Sequence, residues 1–348
     1  MRLIRPPAAV IAPAALATLV AVVLSLTAGT VLAGVPTGPT VTRLTGADRY
    51  ATNAAVVGAA FPGQVPAAVV VNGTDWPDMT IAGSVATKLG GPVLLVTRDA
   101  IPPATAARLA VLLPTHLYAL GGPSVLSPTV LAALRHYTSH PVTVYQGADR
   151  YATAALALGA AYTTSQVAGV VADDDWHANL YAAFCGALGQ IPIVPVAPRA
   201  SAPLIPGPIA TLLTTLAPQG GGIVGDRIGT VQRAKVKTYF SSPDQVQDLP
   251  GADDYTVEVT LLQACNAGPT APLFLAYGGG FADALGSTVS IAAMQGNLLL
   301  LDGKTVPTDL LPLLSQIHPS QVYVIGGAGL LSDSYVASVV ADLGAPGP

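Results

Sequence analysis

Short aliphatic runs alternate along this chain with stretches whose apolar positions recur at helical spacing. In the first third, residues 67–71, 93–96 and 116–120 are runs of the first kind. Turn chemistry follows the first and the third, as Asn72-Gly73-Thr74 and Gly121-Gly122. Helices are predicted from Arg49 to about Ala60, from Asp78 to about Leu89, from Pro102-Pro103 onward, and from Ser127-Pro128 to about Tyr137. Asp48 and Asp78 are placed to cap the first two, because an Asp side chain accepts from the free N–H groups of a first helical turn. Gly90-Gly91-Pro92 ends the second, and residues 141–144 form another short strand. Alternation of this kind implies parallel sheets with helices on their faces, an α/β fold.

The pattern then returns twice. Strands are predicted at 167–172, 191–196 and 222–224, with helices at 180–188 and 205–216. A third set has strands at 273–276, 298–301 and 321–325, and helices at 283–294, 308–317 and 332–343. Local signatures move with it. Gly46-Ala47-Asp48-Arg49-Tyr50 recurs as Gly147-Ala148-Asp149-Arg150-Tyr151 and, weakened, as Gly251-Ala252-Asp253-Asp254-Tyr255. Trp76-Pro77-Asp78 matches Phe281-Ala282-Asp283, and Gly121-Gly122 matches Gly326-Gly327, all at one ungapped offset of 205. The middle copy is looser, with offsets of 100 to 104. Fixed-period self-similarity is the mark of a repeat architecture. Three tandem units are therefore expected, at 41–140, 141–246 and 247–348, after a linker at 34–40. Residues 233–249 hold Lys235, Lys237, Asp244 and Asp248 and read as a linker between units.

Composition narrows the class. Of 348 residues only 10% are charged and 51% are hydrophobic, which is too apolar for disorder. The net charge of −4 argues against a nucleic-acid footprint. Residues 1–33 read as a secretory signal: Arg2 and Arg5, an apolar run over 8–31, and Val31-Leu32-Ala33 before Gly34. The run is long enough that an uncleaved membrane anchor is the alternative. Export permits a disulfide between Cys185 and Cys265, but both read as small hydrophobes on apolar helix faces.

Candidate chemistry is sparse. Arg49 and Arg150 either stitch the units through buried carboxylates or face clefts, where a guanidinium suits phosphate or carboxylate oxygens. Asp78 and Asp283 lack a paired carboxylate, so no catalytic residue is expected. Helix N-termini beside Gly121-Gly122 and Gly326-Gly327 could hold anions. Residues 173–177, Asp-Asp-Asp-Trp-His, lack the spacing and glycine of a calcium loop and read as solvated. Gly278-Gly279-Gly280-Phe281 fails the dinucleotide pattern and reads as a turn. No metal or cofactor is expected.

In order, these motifs are Arg-Leu-x-Gly-x-Asp-Arg-Tyr, an aromatic-x-Asp turn, a Val/Ile-Leu-Leu strand and a strand ending in Gly-Gly. The set resembles the cell wall-binding repeat 2 family over nearly all of 41–343. The resemblance implies three Toprim-like α/β units in a pseudo-threefold arrangement. It also implies a secreted surface module of the Gram-positive type, not an enzyme, which associates non-covalently with an anionic wall polymer, teichoic-acid-like or polysaccharide. Family members often carry an effector; here the leader and three repeats are expected to account for the whole chain. The clefts between units, with Arg49, Arg150, Asp78, Asp283, Gly121, Gly122, Gly326 and Gly327, are the implied site. No nucleic acid is implied, and membrane contact only if the leader stays. Departures concentrate in later copies: Asp254 replaces the signature arginine, Ala178 or the shifted Asn179 the turn aspartate, Pro195 a strand residue, and Gly225-Asp226 the Gly-Gly. An extracytoplasmic small-ligand binder and an unrecognised wall-modifying enzyme are the alternatives.

Overall fold

The computed structural model describes residues 38–199, 203–251 and 254–344. The predicted leader, most of the predicted linker and Ala252-Asp253 of the third signature lie outside them. Repeat 1 runs β1 (Thr40–Leu44), α1 (Arg49–Ala60), β2 (Ala67–Asn72), α2 (Trp76–Leu89), β3 (Val93–Val96), α3 (Pro103–Leu112), β4 (His116–Leu120) and α4 (Pro128–Leu134). Repeat 2 runs β5 (Thr143–Tyr145), α5 (Arg150–Ala161), β6 (Val167–Ala172), α6 (Trp176–Gly189), β7 (Ile193–Val196), α7 (Gly207–Leu216), β8 (Gly220–Val224) and α8 (Thr230–Lys237). Repeat 3 runs β9 (Val246–Leu249), α9 (Asp254–Ala264), β10 (Leu273–Tyr277), α10 (Phe281–Leu285), α11 (Thr288–Ala293), β11 (Asn297–Leu301), α12 (Leu311–Leu314), β12 (Gln321–Ile325) and α13 (Asp333–Ala341).

These strands make three parallel four-stranded sheets, ordered β3-β2-β4-β5, β7-β6-β8-β9 and β1-β12-β10-β11. The first strand of each repeat thus lies on the sheet of another. β5 pairs with β4, β9 with β8, and β1 closes the ring by pairing with β12 in the register Thr40↔Gln321 to Leu44↔Ile325. A four-residue edge strand held only by its own repeat would be marginal. Docked on a neighbour, it covers that neighbour's edge and ties two repeats together.

The predicted linker at 233–249 is instead α8 and β9. Val236, Phe240 and Val246 are buried there, and the charges form a local network: Arg233 and Lys237 both reach Asp248, at 3.0 and 2.8 Å. Arg43 makes the same kind of clasp at the closure, bonding Gly326 O and Leu331 O at 2.9 Å each and Asp333 at 2.7 Å. Arg233 also bonds Gly225 O, the counterpart of Gly326 O, so the guanidinium comes from a helix at one junction and from a strand at the other.

At the centre α2, α6 and the α10–α11 pair pack on one another. A β-carbon on Gly83 of α2 would lie 3.8 Å from Ala183 Cβ and 3.6 Å from Thr288 Oγ1, so all three repeats meet there. One apolar core runs through them, including Met79, Ile81, Tyr181, Phe184, Val289 and Ile291. Small residues on the central helices allow this close approach.

The outer strands β3, β7 and β11 each present an edge to the first helix of their repeat. Asn53 of α1 accepts from Leu95 N–H at 3.3 Å and donates to Val93 O and Gly286 O. In repeat 3 the equivalent Leu300 N–H donates to Glu258 Oε1 at 2.6 Å. In repeat 2 the strand residue is Pro195, which has no N–H, and the helix position is Ala154. The proline removes the donor and the acceptor is gone with it. Helix ends are also tied to neighbouring central helices. Tyr162 Oη donates to Ser84 O at 2.9 Å, and at the next junction Cys265 is bonded to Cys185, with Cα atoms 5.4 Å apart. The packed thiols expected from the apolar helix faces are therefore a disulfide.

Two stability outcomes follow. Pro195→Leu should cost about 1–3 kcal/mol by leaving a buried N–H unpaired. Ala154→Asn added to it should recover at least about 1 kcal/mol, read as coupling in a double-mutant cycle by urea unfolding. Replacing Cys185 and Cys265 by alanine should cost about 2–4 kcal/mol, because the bridge closes a loop of 80 residues. Equal unfolding midpoints with and without reductant would refute the second.

Candidate functional site

The signature loop is a helix start built twice in the same way. Asp48 accepts from Ala51 N–H at 2.8 Å and Asp149 from Ala152 N–H at 2.7 Å. Gly46 and Gly147 donate their N–H to Thr52 and Thr153 hydroxyls. A β-carbon on Gly46 would lie 2.3 Å from Ala51 Cβ, and on Gly147 2.4 Å from Ala152 Cβ, so only glycine permits the turn. The loop delivers Arg49 and Arg150 as first residues of α1 and α5, both exposed.

Because each signature follows a strand donated to the preceding sheet, its arginine faces the preceding repeat. The eight expected residues separate into two sets of four. At the junction of repeats 3 and 1, Arg49, Asp283, Gly326 and Gly327 come together. Arg49, Asp283 and Gly327 line a cleft of about 690 Å³ with Asp48, Tyr277 and Phe281. At the junction of repeats 1 and 2, Arg150, Asp78, Gly121 and Gly122 do so. Asp78 Oδ2 would stand 2.9 Å from a β-carbon on Gly121, and Asp283 Oδ2 3.4 Å from one on Gly326. Both glycines have positive φ, +114° and +99°, so glycine is required by conformation as well as by space.

Each arginine is anchored through one nitrogen. Arg49 Nη1 donates to Gly73 O at 3.0 Å, and its guanidinium lies 5.9 Å from the Phe281 ring centre. Arg150 Nη1 lies 3.3 Å from Asp173 Oδ2, which also accepts from Tyr151 Oη at 2.8 Å. Arg150 nevertheless keeps half its side chain exposed, at 52%.

The aspartates differ from expectation. Asp78 is in the first turn of α2, behind Asp75 at the cap position, and Asp283 follows the cap Gly280; neither caps its helix. Asp78 is 5% exposed. The 173–177 cluster is not a solvated loop either. Asp173 is buried beneath Arg150, Asp174 is 3.9 Å from Arg227, and Asp175 caps Ala178 N–H at 3.1 Å. Among the described residues no His/Cys/Asp/Glu group is arranged to hold a metal.

Burial pushes the Asp78 carboxyl up to about 7; neighbouring Asp75 adds to the rise and Arg150 opposes it. Burial likewise raises Asp283 against the pull of Arg49, and raises Asp75 against Arg150. Asp283 Oδ1 is buried and makes no hydrogen bond. Near neutral pH Asp78 is therefore partly protonated and offers an O–H, while Asp75 and Asp283 hold their protons more tightly than free carboxyls do. The native state holds the Asp78 proton up to about pH 7, whereas the unfolded chain releases it near 3.8. The native form thus binds more protons between those values, and its stability falls as pH rises through them. Asp78→Asn should abolish a loss on the order of a few kcal/mol between pH 4 and 8, followed by urea titration. An unchanged slope would refute the raised value.

Sequence reasoning missed Asp75, Asp173, Tyr151 and Phe281 as parts of these clefts. The signal for two of them was the alignment of repeats, which puts Asp173 at Gly73 and Phe281 at Trp76.

A family model described as cell wall binding domain 2 (CWB2) matches residues 43–131 and 249–336, half of the chain. No curated protein matches. Among solved structures the fold is similar to Cwp6 from Clostridium difficile, with a TM-score of 0.80 at 20% identity, covering 89% of this chain and 49% of that one. It is also similar to Cwp8 from Clostridium difficile, with a TM-score of 0.75 at 18% identity, covering 87% and 51%. This chain therefore spans about half the length of each. The matched repeats carry both arginine–aspartate sets except Arg150, and with them the chain belongs to the cell wall binding domain 2 (CWB2) family.

Proposed function

We propose that this protein is an exported, non-enzymatic module that holds an anionic cell-wall polymer in the clefts between its repeats. The observation that carries the reading is the pair of exposed guanidinium groups, Arg49 and Arg150, each anchored through one nitrogen and facing a buried carboxyl of the preceding repeat that holds its proton more tightly than a free one. A guanidinium beside a hydroxyl-like donor suits a phosphate or carboxylate on a polyol chain. The net charge of −4 opposes the approach of such a polymer, so the attraction has to be local. The disulfide supports an oxidising location, outside the cytoplasm.

One feature favours binding over catalysis. Cleavage of a glycosidic bond uses two carboxyls flanking it. Asp75 and Asp78 instead share one helical turn on one wall of the junction.

In a sedimentation assay with purified walls, Arg49→Ala and Arg150→Ala should each weaken retention by about tenfold, the loss of roughly one charge-assisted contact. Retention of the unaltered protein should fall with added salt, and above pH 7 as Asp78 ionises. Undiminished retention by the double variant would remove the clefts from the site.

A further inference from the structure

The three junctions are chemically unequal. At two of them an arginine opening the first helix of one repeat faces an aspartate of the repeat before it. At the junction of repeats 2 and 3 the corresponding positions are Asp254 and Ala178. Both members of the pair are replaced, and Ala178 fills the space instead: a β-carbon on Gly225 would lie 3.0 Å from its Cβ.

A second observation is independent of that loss. Arg49 satisfies the carbonyl of Gly73 within its own repeat. The same carbonyl in repeat 3, Gly278 O, lies 3.1 Å from Nε2 of His177, which belongs to repeat 2. A carbonyl only accepts, so the ring proton is on Nε2. This bond spans the junction from one wall to the other, and the Trp176 ring lies 3.5 Å from the His177 ring beside it. A third observation is the covalent one: Cys185 and Cys265 join these same two repeats.

We propose that this chain carries two anion-binding clefts, not three, and that the junction of repeats 2 and 3 is a closed structural joint latched by His177. The inference rests on the proposed polymer binding for what the two clefts hold, namely phosphate- or carboxylate-bearing glycan units. Two clefts fixed on one body give two-point attachment to a single polymer, in which the second contact forms at high effective concentration. A third contact is not available to extend it.

The test counts sites. Calorimetric titration of the full chain with a glycerol phosphate dimer and, separately, with a uronic acid disaccharide should give two sites per chain for the anion type that binds. Arg49→Ala and Arg150→Ala should each leave one. Restoring the repeat 1 residues at the joint, with His177→Pro, Ala178→Asp and Asp254→Arg, should raise the count to three. One or three sites in the unaltered chain overturns the proposal. If neither probe binds, the polymer reading fails, and the joint is then judged without ligand. Gly122→Cys, Gly327→Cys and Asp226→Cys place one thiol at each junction, for labelling by an anionic and by a neutral methanethiosulfonate. The anionic-to-neutral rate ratio should be at least about threefold higher at the first two, as a local positive field requires. Equal ratios at all three overturn it.

Discussion

The structure depends on the exchange of one edge strand per repeat. A parallel strand of three to five residues contributes few hydrogen bonds, yet here it carries three consequences at once. It completes the neighbour's sheet, covers an edge that would otherwise invite association, and fixes where the following helix begins. The loop after it is then held against the neighbour's two turns. Both clefts are produced by this displacement of sheet relative to repeat, so the architecture that joins the repeats also creates the grooves between them.

Much of the fold was legible because buried parallel strands and Ala-rich helices leave strong periodic signals. The helix from Arg49 to Ala60 and the strand from His116 to Leu120 follow from spacing and caps alone. What was not legible depended on partners distant in sequence. β9 is polar at Gln247 and Asp248 and resembles a linker, because its pairing and its charges are satisfied by β8 and α8. Asp78 looks like a cap by composition, but burial two residues inside the helix gives it a different task. Of the candidate clefts, the sequence offered residues to line them but not their grouping. Arg150 meets Asp78 only because its strand belongs to the preceding sheet.

Comparison within the molecule explains several departures better than degeneration does. Pro195 and Ala154 form a matched pair, as do Leu95 and Asn53. The clasp at the closing junction uses a strand arginine and a helix aspartate, and the joint of repeats 2 and 3 uses the reverse. Such reciprocal changes keep each contact satisfied while the repeats diverge. The loss of Arg and Asp together at that joint belongs to the same pattern, and the disulfide joins the same two repeats covalently.

The pairing of β1 with β12 also dictates an order of events during synthesis. Thr40 cannot find Gln321 until the third repeat has emerged, so β1 waits for β12 while the chain between them is made. Contacts at that separation form slowly, and an unclosed intermediate would leave β12 bare along one side. A chain delivered across a membrane in linear fashion would thus gain its circular connectivity only once the third repeat has crossed.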